Sequence, residues 1–435
     1  MDFVVEPAAP AGGTVAVPGD KSISHRALML AAIAEGSSRI TGFLAGEDCL
    51  ATLAALRALG VGIERRDDEV TVHGAGLRGL KQSAQDLDLG NSGTGLRLLT
   101  GLLCAQDFDS VLTGDDSLRR RPMQRIVTPL EHMGARIESR NGTPPLTVRG
   151  KRRLAGIAYE LPVASAQVKS AILLAALYAA GDTCVGEPAP TRDHTERLLR
   201  AMGADIEWSE GRVRIRGGQA LHARDVQVPA DISSAAFFVL LALIAPGCEV
   251  LLDSVGVNPA RSGSIEILRE MGADIRLENP RFLGAEPVAD IRVRSSKLRG
   301  IRVGPGRVPG AIDEFPVLFV AAAAARGATR FEGIGELRVK ESDRIAVMAR
   351  ALAGLGIRVE ESPDGAVVHG GTLAGGTVDS GGDHRIAMSL AVAGTVAAAP
   401  VRILDVDNVA TSFPGFAALL EALGGRIATA EGQTA

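Results

Sequence analysis

Apolar positions along the chain fall into two kinds of segment that alternate. The first kind is apolar almost all round, as in KSISHRALMLAAIAEG from Lys21 and SSAAFFVLLALIAPG from Ser233. Such stretches begin near Lys21, Asn91, Ser165, Ser233, Asp313 and His384. A helix with no polar stripe belongs inside a protein, so six buried helices are predicted. The second kind is a nine-residue pattern in which an apolar helix end meets Gly and then a short strand. Its copies are LRALGVGIE, LEHMGARIE, LRAMGADIE, LREMGADIR, LAGLGIRVE and LEALGGRIA, with glycines at Gly60, Gly134, Gly203, Gly272, Gly356 and Gly424. A glycine there suits the left-handed residue that ends a helix. After five copies a second strand follows (VTVHG, LTVRG, VRIRG, IRVRS, AVVHG), alternating apolar and polar at period two.

Both patterns recur six times, and the glycines are spaced by 68 to 84 residues. Each unit therefore holds two helices and several strands, more than a solenoid repeat and less than an ordinary domain. A chain of 435 residues exceeds what one core usually serves. Two α/β domains of three units each are predicted. Buried helices with sheets outside them invert the usual layering.

Composition narrows the function. Aromatics are 3% of the chain, too few for base stacking on nucleic acid. The formal charge is −4, whereas a polyanion partner calls for a basic surplus. No apolar run reaches 18 residues, so no membrane span is expected. The start, MDFVVEPAAP, does not read as a signal peptide. Cys49, Cys104, Cys184 and Cys248 are far apart with no CxxC, and they read as reduced core thiols of a cytoplasmic protein. The seven histidines form no HxxH or HExxH, so no metal site is expected. GDKS at Gly19 lacks P-loop spacing, GPGRVPG at Gly304 reads as a turn, and no GxSxG elbow exists.

The chemistry lies at the starts of the buried helices: GDKSISHR, GNSGTGLR, ASAQVKS, ADISS, GAIDEFP and GGDHR. A helix N-terminus offers N–H groups and a positive dipole end, which suit anions. Lys21, Arg26 and Arg385 lie at these starts, and nearby loops add RRRPM from Arg119, Arg192 in TRDHTE, and VKESDR from Val339. An acidic protein that places cations there is expected to bind a small, multiply anionic substrate. Asp313 and Glu314 could serve only as helix caps, and Lys340, Glu341, Asp343 and Arg344 only as a solvated turn. The repeat favours function, since Asp313 holds the place in its unit that Lys21 holds in the first.

These motifs also occur in family order. GDKSISHR, LGNSGTGLR, GDDSLRRRPM, SAQVKSAILLA, IDEFPVL, RVKESDR and GGDHRIAM together resemble the 5-enolpyruvylshikimate-3-phosphate synthases over essentially the whole chain. SAQVKS, RDHTE and ELRVKESDR resemble the branch that includes glyphosate-tolerant members. The resemblance implies a two-domain inside-out α/β barrel of six βαβαββ repeats, with the active site in the interdomain cleft. It also implies one domain over residues 20–234 and another over 1–19 plus 235–435. The implied reaction moves the enolpyruvyl group of phosphoenolpyruvate to the 5-hydroxyl of shikimate 3-phosphate, by addition then elimination, with no cofactor and no metal. Closure driven by shikimate 3-phosphate and a monomeric state are further expectations.

The resemblance carries roles residue by residue. Asp313 takes the hydroxyl proton, and Lys21 and Glu341 share the proton transfers at C3. Shikimate 3-phosphate is expected at Lys21, Ser22, Arg26, Ser165, Ala166, Gln167, Arg192, Asp313 and Lys340. Phosphoenolpyruvate is expected at Lys21, Gly93, Arg121, Gln167, Arg344 and Arg385. Three positions depart from many members: Ala166 replaces a second Ser, Thr411 a Lys, and Glu336 an Asn. Tolerant members carry Ala where this chain has Gly93, so glyphosate is expected to inhibit. The alternatives are the sister transferase acting on a UDP-sugar, which usually relies on a loop Cys, and a non-catalytic anion-binding scaffold.

Overall fold

The computed structural model describes residues 1–150 and 153–431. Its twelve helices, among the described residues, are α1 (Lys21–Ala32), α2 (Glu47–Ala58), α3 (Gly93–Leu103), α4 (Gln124–His132), α5 (Ala166–Ala176), α6 (His194–Ala201), α7 (Ile232–Ile244), α8 (Gly263–Glu270), α9 (Phe315–Ala324), α10 (Arg344–Gly354), α11 (His384–Thr395) and α12 (Phe416–Ala422). The six odd-numbered helices down to α11 except their first residues are buried along most of their length, as their all-round apolar sequences require. Most even-numbered helices end at the repeat glycine. All six of those glycines are left-handed, with φ between 81° and 102°.

Six four-stranded sheets flank the helices, among the described residues. In one of them, Val226–Gln227 runs parallel to Glu35–Thr41, which pairs antiparallel with Glu69–Ala75, and that strand pairs with Gly62–Arg66. Val70 and Val72 are buried while His73 is exposed, which is the period-two alternation of the sequence. In the last repeat no second strand follows the glycine among the described residues. There Asp2–Glu6 inserts between Val401–Leu404 and Arg426–Ala430, in register Val4 to Arg402 and Val4 to Ala428. Arg402 donates two hydrogen bonds to Asp2 Oδ2, at 2.9 and 2.7 Å.

Two compact units result. The N-terminal unit is Gly19–Val228 with the hairpin tip Leu283–Glu286, and the C-terminal unit is the remainder of the chain. Each has its own apolar core. One is built around α1, α3 and α5, the other around α7, α9 and α11. Cys184 corrects an expectation: it is exposed, not a core thiol. It lies in Asp182–Gly186, where Thr183 and Val185 point inward and Cys184 takes the opposite face. The other three cysteines are buried and form no disulfide among the described residues.

Gly272 tests the helix-ending rule cleanly. A Cβ there would meet only Lys297 O, at 3.5 Å, so space is not limiting and only its φ of +101° is. Gly272→Ala is expected to destabilise the fold by about 1–2 kcal/mol, read as a lower denaturant midpoint, with Gly272→Asn costing less.

Candidate active site

In the N-terminal unit, the starts of α1, α3 and α5 are tied together by polar side chains. Asp20 caps α1 by accepting from Ile23 N at 2.8 Å, which presents Lys21 as the first helical residue. Lys21 Nζ donates to Asp48 Oδ2 at 3.0 Å, and both are largely buried. Arg26 is 2% exposed. It donates to Thr195 Oγ1 and Ser170 Oγ, both at 2.7 Å, and to Ser22 O at 2.8 Å. Burial, then the nearby charge of Arg192, lowers its pKa to about 10. Arg192 in turn donates to Ser22 Oγ at 2.9 Å.

Ser165 caps α5 and Ala166 is its first residue. Gln167 donates to Thr94 Oγ1 at 2.9 Å and accepts from Arg97 Nη1 at 2.6 Å, which joins α5 to α3. Ser92 caps α3, and Gly93 begins it. Arg121 is buried and donates to Asn91 Oδ1 at 2.5 Å. A Cβ on Gly93 would lie 3.0 Å from Arg121 Nη1 and 3.2 Å from Arg97 Nη1. The backbone at Gly93 is therefore held close under two guanidinium groups.

In the C-terminal unit, the starts of α7, α9, α10 and α11 gather in the same way. Glu314, the N-cap residue of α9, makes no side-chain cap bond. Asp313 accepts from Arg261 Nη1 at 3.0 Å, and Glu314 accepts from Ser233 Oγ at 2.5 Å. Capping α9 is therefore not what the Glu314 carboxylate does. Arg344 is 1% exposed, so the VKESDR segment is not a solvated turn. Its Nε donates to Asp383 Oδ2 at 2.8 Å and its Nη2 to Glu341 Oε2 at 2.7 Å. Nη1 is 4.0 Å from Asp313 Oδ1 and has no hydrogen-bond partner. Burial lowers the Arg344 pKa, but Asp383 and Glu341 outweigh it and the net shift is upward. Arg385 donates to Asp313 O at 3.2 Å and lies 3.8 Å from Glu314 Oε1. The Lys340 pKa is lowered by desolvation, against the pull of Asp313 and with the help of Arg344.

Four residues escaped the sequence reading: Asp48, Arg97, Arg261 and Asp383. Two of them, Arg97 and Asp383, stand inside motifs already singled out, GNSGTGLR and GGDHR. Each is paired with a residue the reading did select. Thr411 is buried and donates to Asn408 O at 2.7 Å, so it brings no charge to the place where many relatives have Lys.

The EPSP synthase family, described as 3-phosphoshikimate 1-carboxyvinyltransferase, matches residues 5–420. A 3-phosphoshikimate 1-carboxyvinyltransferase of Methylococcus capsulatus is 58% identical over 97% of this chain and 98% of its own length. One from Xanthomonas euvesicatoria is 57% identical over 96% of each. The solved EPSP synthase of Acinetobacter baumannii superposes with a TM-score of 0.88 at 51% identity, covering 98% of this chain and all of that one. Fold and relatives together define an enolpyruvyl transferase. The chain belongs to the EPSP synthase family, and its reaction is the shikimate-pathway transfer of an enolpyruvyl group from phosphoenolpyruvate to shikimate 3-phosphate.

His25 supplies a pH prediction. Burial, then the charges of Lys21 and Arg26, against a smaller pull from Asp20, lowers its pKa from 6.5 to about 3. The unfolded chain therefore binds the extra proton between those values, and stability falls as pH falls through that window. The loss is about 2 kcal/mol at pH 5 relative to pH 8. Denaturant midpoints at the two pH values should differ less in His25→Asn than in wild type.

Proposed function

We propose that the two residue sets, one in each unit, act on a single pair of substrates, with Asp313 as the base. Asp313 takes the proton of the 5-hydroxyl while that oxygen attacks C2 of phosphoenolpyruvate and C3 gains a proton. The tetrahedral intermediate then loses phosphate and a C3 proton, which regenerates the enol ether. Lys21 and Glu341 handle the C3 proton. Shikimate 3-phosphate is held by Lys21, Ser22, Arg26, Ser165, Gln167, Arg192 and Lys340, with backbone contact at Ala166. Phosphoenolpyruvate is held by Lys21, Gly93, Gln167, Arg121, Arg344 and Arg385, whose planar guanidinium forks suit carboxylate and phosphate. The same reading assigns residues 20–234 to one domain and 1–19 with 235–435 to the other. It describes a cytoplasmic monomer inhibited by glyphosate.

The observation that supports this most is the setting of the Asp313 carboxylate. Its carboxylate stands at a helix start among Arg261, Arg344 and Lys340, where a base for an anionic substrate is needed. Phosphate release from phosphoenolpyruvate should require shikimate 3-phosphate, and Asp313→Ala should lower it by about 10²–10⁴-fold. Release with a UDP-sugar in place of shikimate 3-phosphate contradicts the assignment.

Gly93 sets the response to glyphosate. A methyl group there presses on Arg121 and Arg97 at 3.0 and 3.2 Å, so a guanidinium must shift or the ligand must shorten. Gly93→Ala is expected to raise the glyphosate inhibition constant at least tenfold, about 1.4 kcal/mol, and to raise the Michaelis constant of the smaller phosphoenolpyruvate by less. Equal increases for both ligands contradict it.

A further inference from the structure

His25 lies on α1, four residues after Lys21, and its ring has no exposed surface. Its Nδ1 is 2.8 Å from Thr52 Oγ1 on α2, and its Nε2 is 3.5 Å from Ser92 Oγ, the cap of α3. In one tautomer of His25 every donor along this path finds an acceptor. Thr52 has one hydroxyl hydrogen, and it points to Asp48 O, 3.4 Å away. Thr52 Oγ1 must then accept from His25 Nδ1–H. The other nitrogen, Nε2, is left as an acceptor, and Ser92 Oγ–H supplies it. Ser92 Oγ itself accepts from Gly95 N at 3.0 Å. The chain of donors thus runs from Gly95 through Ser92, His25 and Thr52 to the backbone of Asp48, whose carboxylate holds Lys21 Nζ.

We propose that His25 is a positioning residue: its neutral ring locks the start of α3, and so Gly93, to the start of α2 and its Asp48–Lys21 pair. The proposal rests on the assignment of Lys21 and Gly93 to phosphoenolpyruvate binding. Gly95 fits it independently. A Cβ at Gly95 would fall 2.7 Å from Thr52 Oγ1 and 2.9 Å from Ser92 Oγ, so the two hydroxyls of the relay occupy the space a side chain there would need. In this tautomer the ring is neutral, with Nδ1–H donating and Nε2 accepting. Burial, with the charges of Lys21 and Arg26, lowers the ring's pKa and favours this neutral form. Arg26, Arg192 and Ser165 lie outside the relay, so shikimate 3-phosphate is expected to feel its loss less.

The test is steady-state kinetics of His25→Phe, His25→Asn, Thr52→Val and the double variant His25→Phe with Thr52→Val, with melting temperatures measured alongside. His25→Phe should lower kcat/KM for phosphoenolpyruvate at least tenfold, with a smaller change in KM for shikimate 3-phosphate. His25→Asn keeps a donor near the Nδ1 position and should recover most of the loss. Thr52→Val should act in the same direction, and the double variant should be no worse than the poorer single one. If His25→Phe does not fold, Thr52→Val against wild type carries the same comparison. Lower melting temperatures with unchanged kinetics overturn the relay, as do penalties that multiply in the double variant. Asp313→Ala, assayed in parallel, separates the two readings. An active wild type that is sensitive to Asp313 and indifferent to His25 and Thr52 removes only the relay, while a wild type that releases no phosphate overturns both.

Discussion

Six helices that are apolar on every side can meet water only at their ends. That constraint organises the rest of the molecule. The flanks of α1, α3, α5, α7, α9 and α11 are sealed by sheets and outer helices, so polar chemistry gathers in their first two turns. Within each unit those first turns come close enough to hydrogen-bond to one another, as in Gln167 to Thr94 and Ser233 to Glu314. Buried charges there are satisfied by one another. Arg344 is held by Asp383 and Glu341, and Arg261 by Asp313 and Glu314. Orientation and electrostatic pre-organisation follow from helix burial, with no separate scaffold needed.

Much of this was legible in the sequence, because burial and capping leave periodic marks. An unbroken apolar helix and a glycine at its end are local requirements, and both recur six times. The candidate anion-binding residues stood out as cations placed at helix starts in an acidic chain. Asp48, Arg97, Arg261 and Asp383 did not. Each is a single charged residue in an ordinary setting, and only its distance to a partner far along the chain gives it meaning. Arg261 and Asp313, for example, are 52 residues apart in sequence and 3.0 Å apart in space. The exposed Cys184 escaped for a related reason: which face of a short strand turns inward depends on its register.

The buried ion pairs also differ from ordinary stabilising contacts. Removing a buried charge from water is expensive, and a pair seldom repays more than that cost. Lys169, 1% exposed, sits 2.8 Å from Glu187 and 2.7 Å from Glu196 on α6, directly behind the residues that hold Arg26. Such clusters are retained where geometry matters more than stability, since each partner fixes the position of the next.

The strand Asp2–Glu6 sits between Val401–Leu404 and Arg426–Ala430. Its contact from Asp2 to Arg402 spans 400 residues of sequence. During synthesis, everything needed for the unit of Gly19–Val228 except the tip Leu283–Glu286 leaves the ribosome while this first strand still has neither neighbour. Residues made before either unit are therefore among the last to be placed. For most of translation they remain an unpaired, apolar edge that the nascent chain must keep from pairing elsewhere.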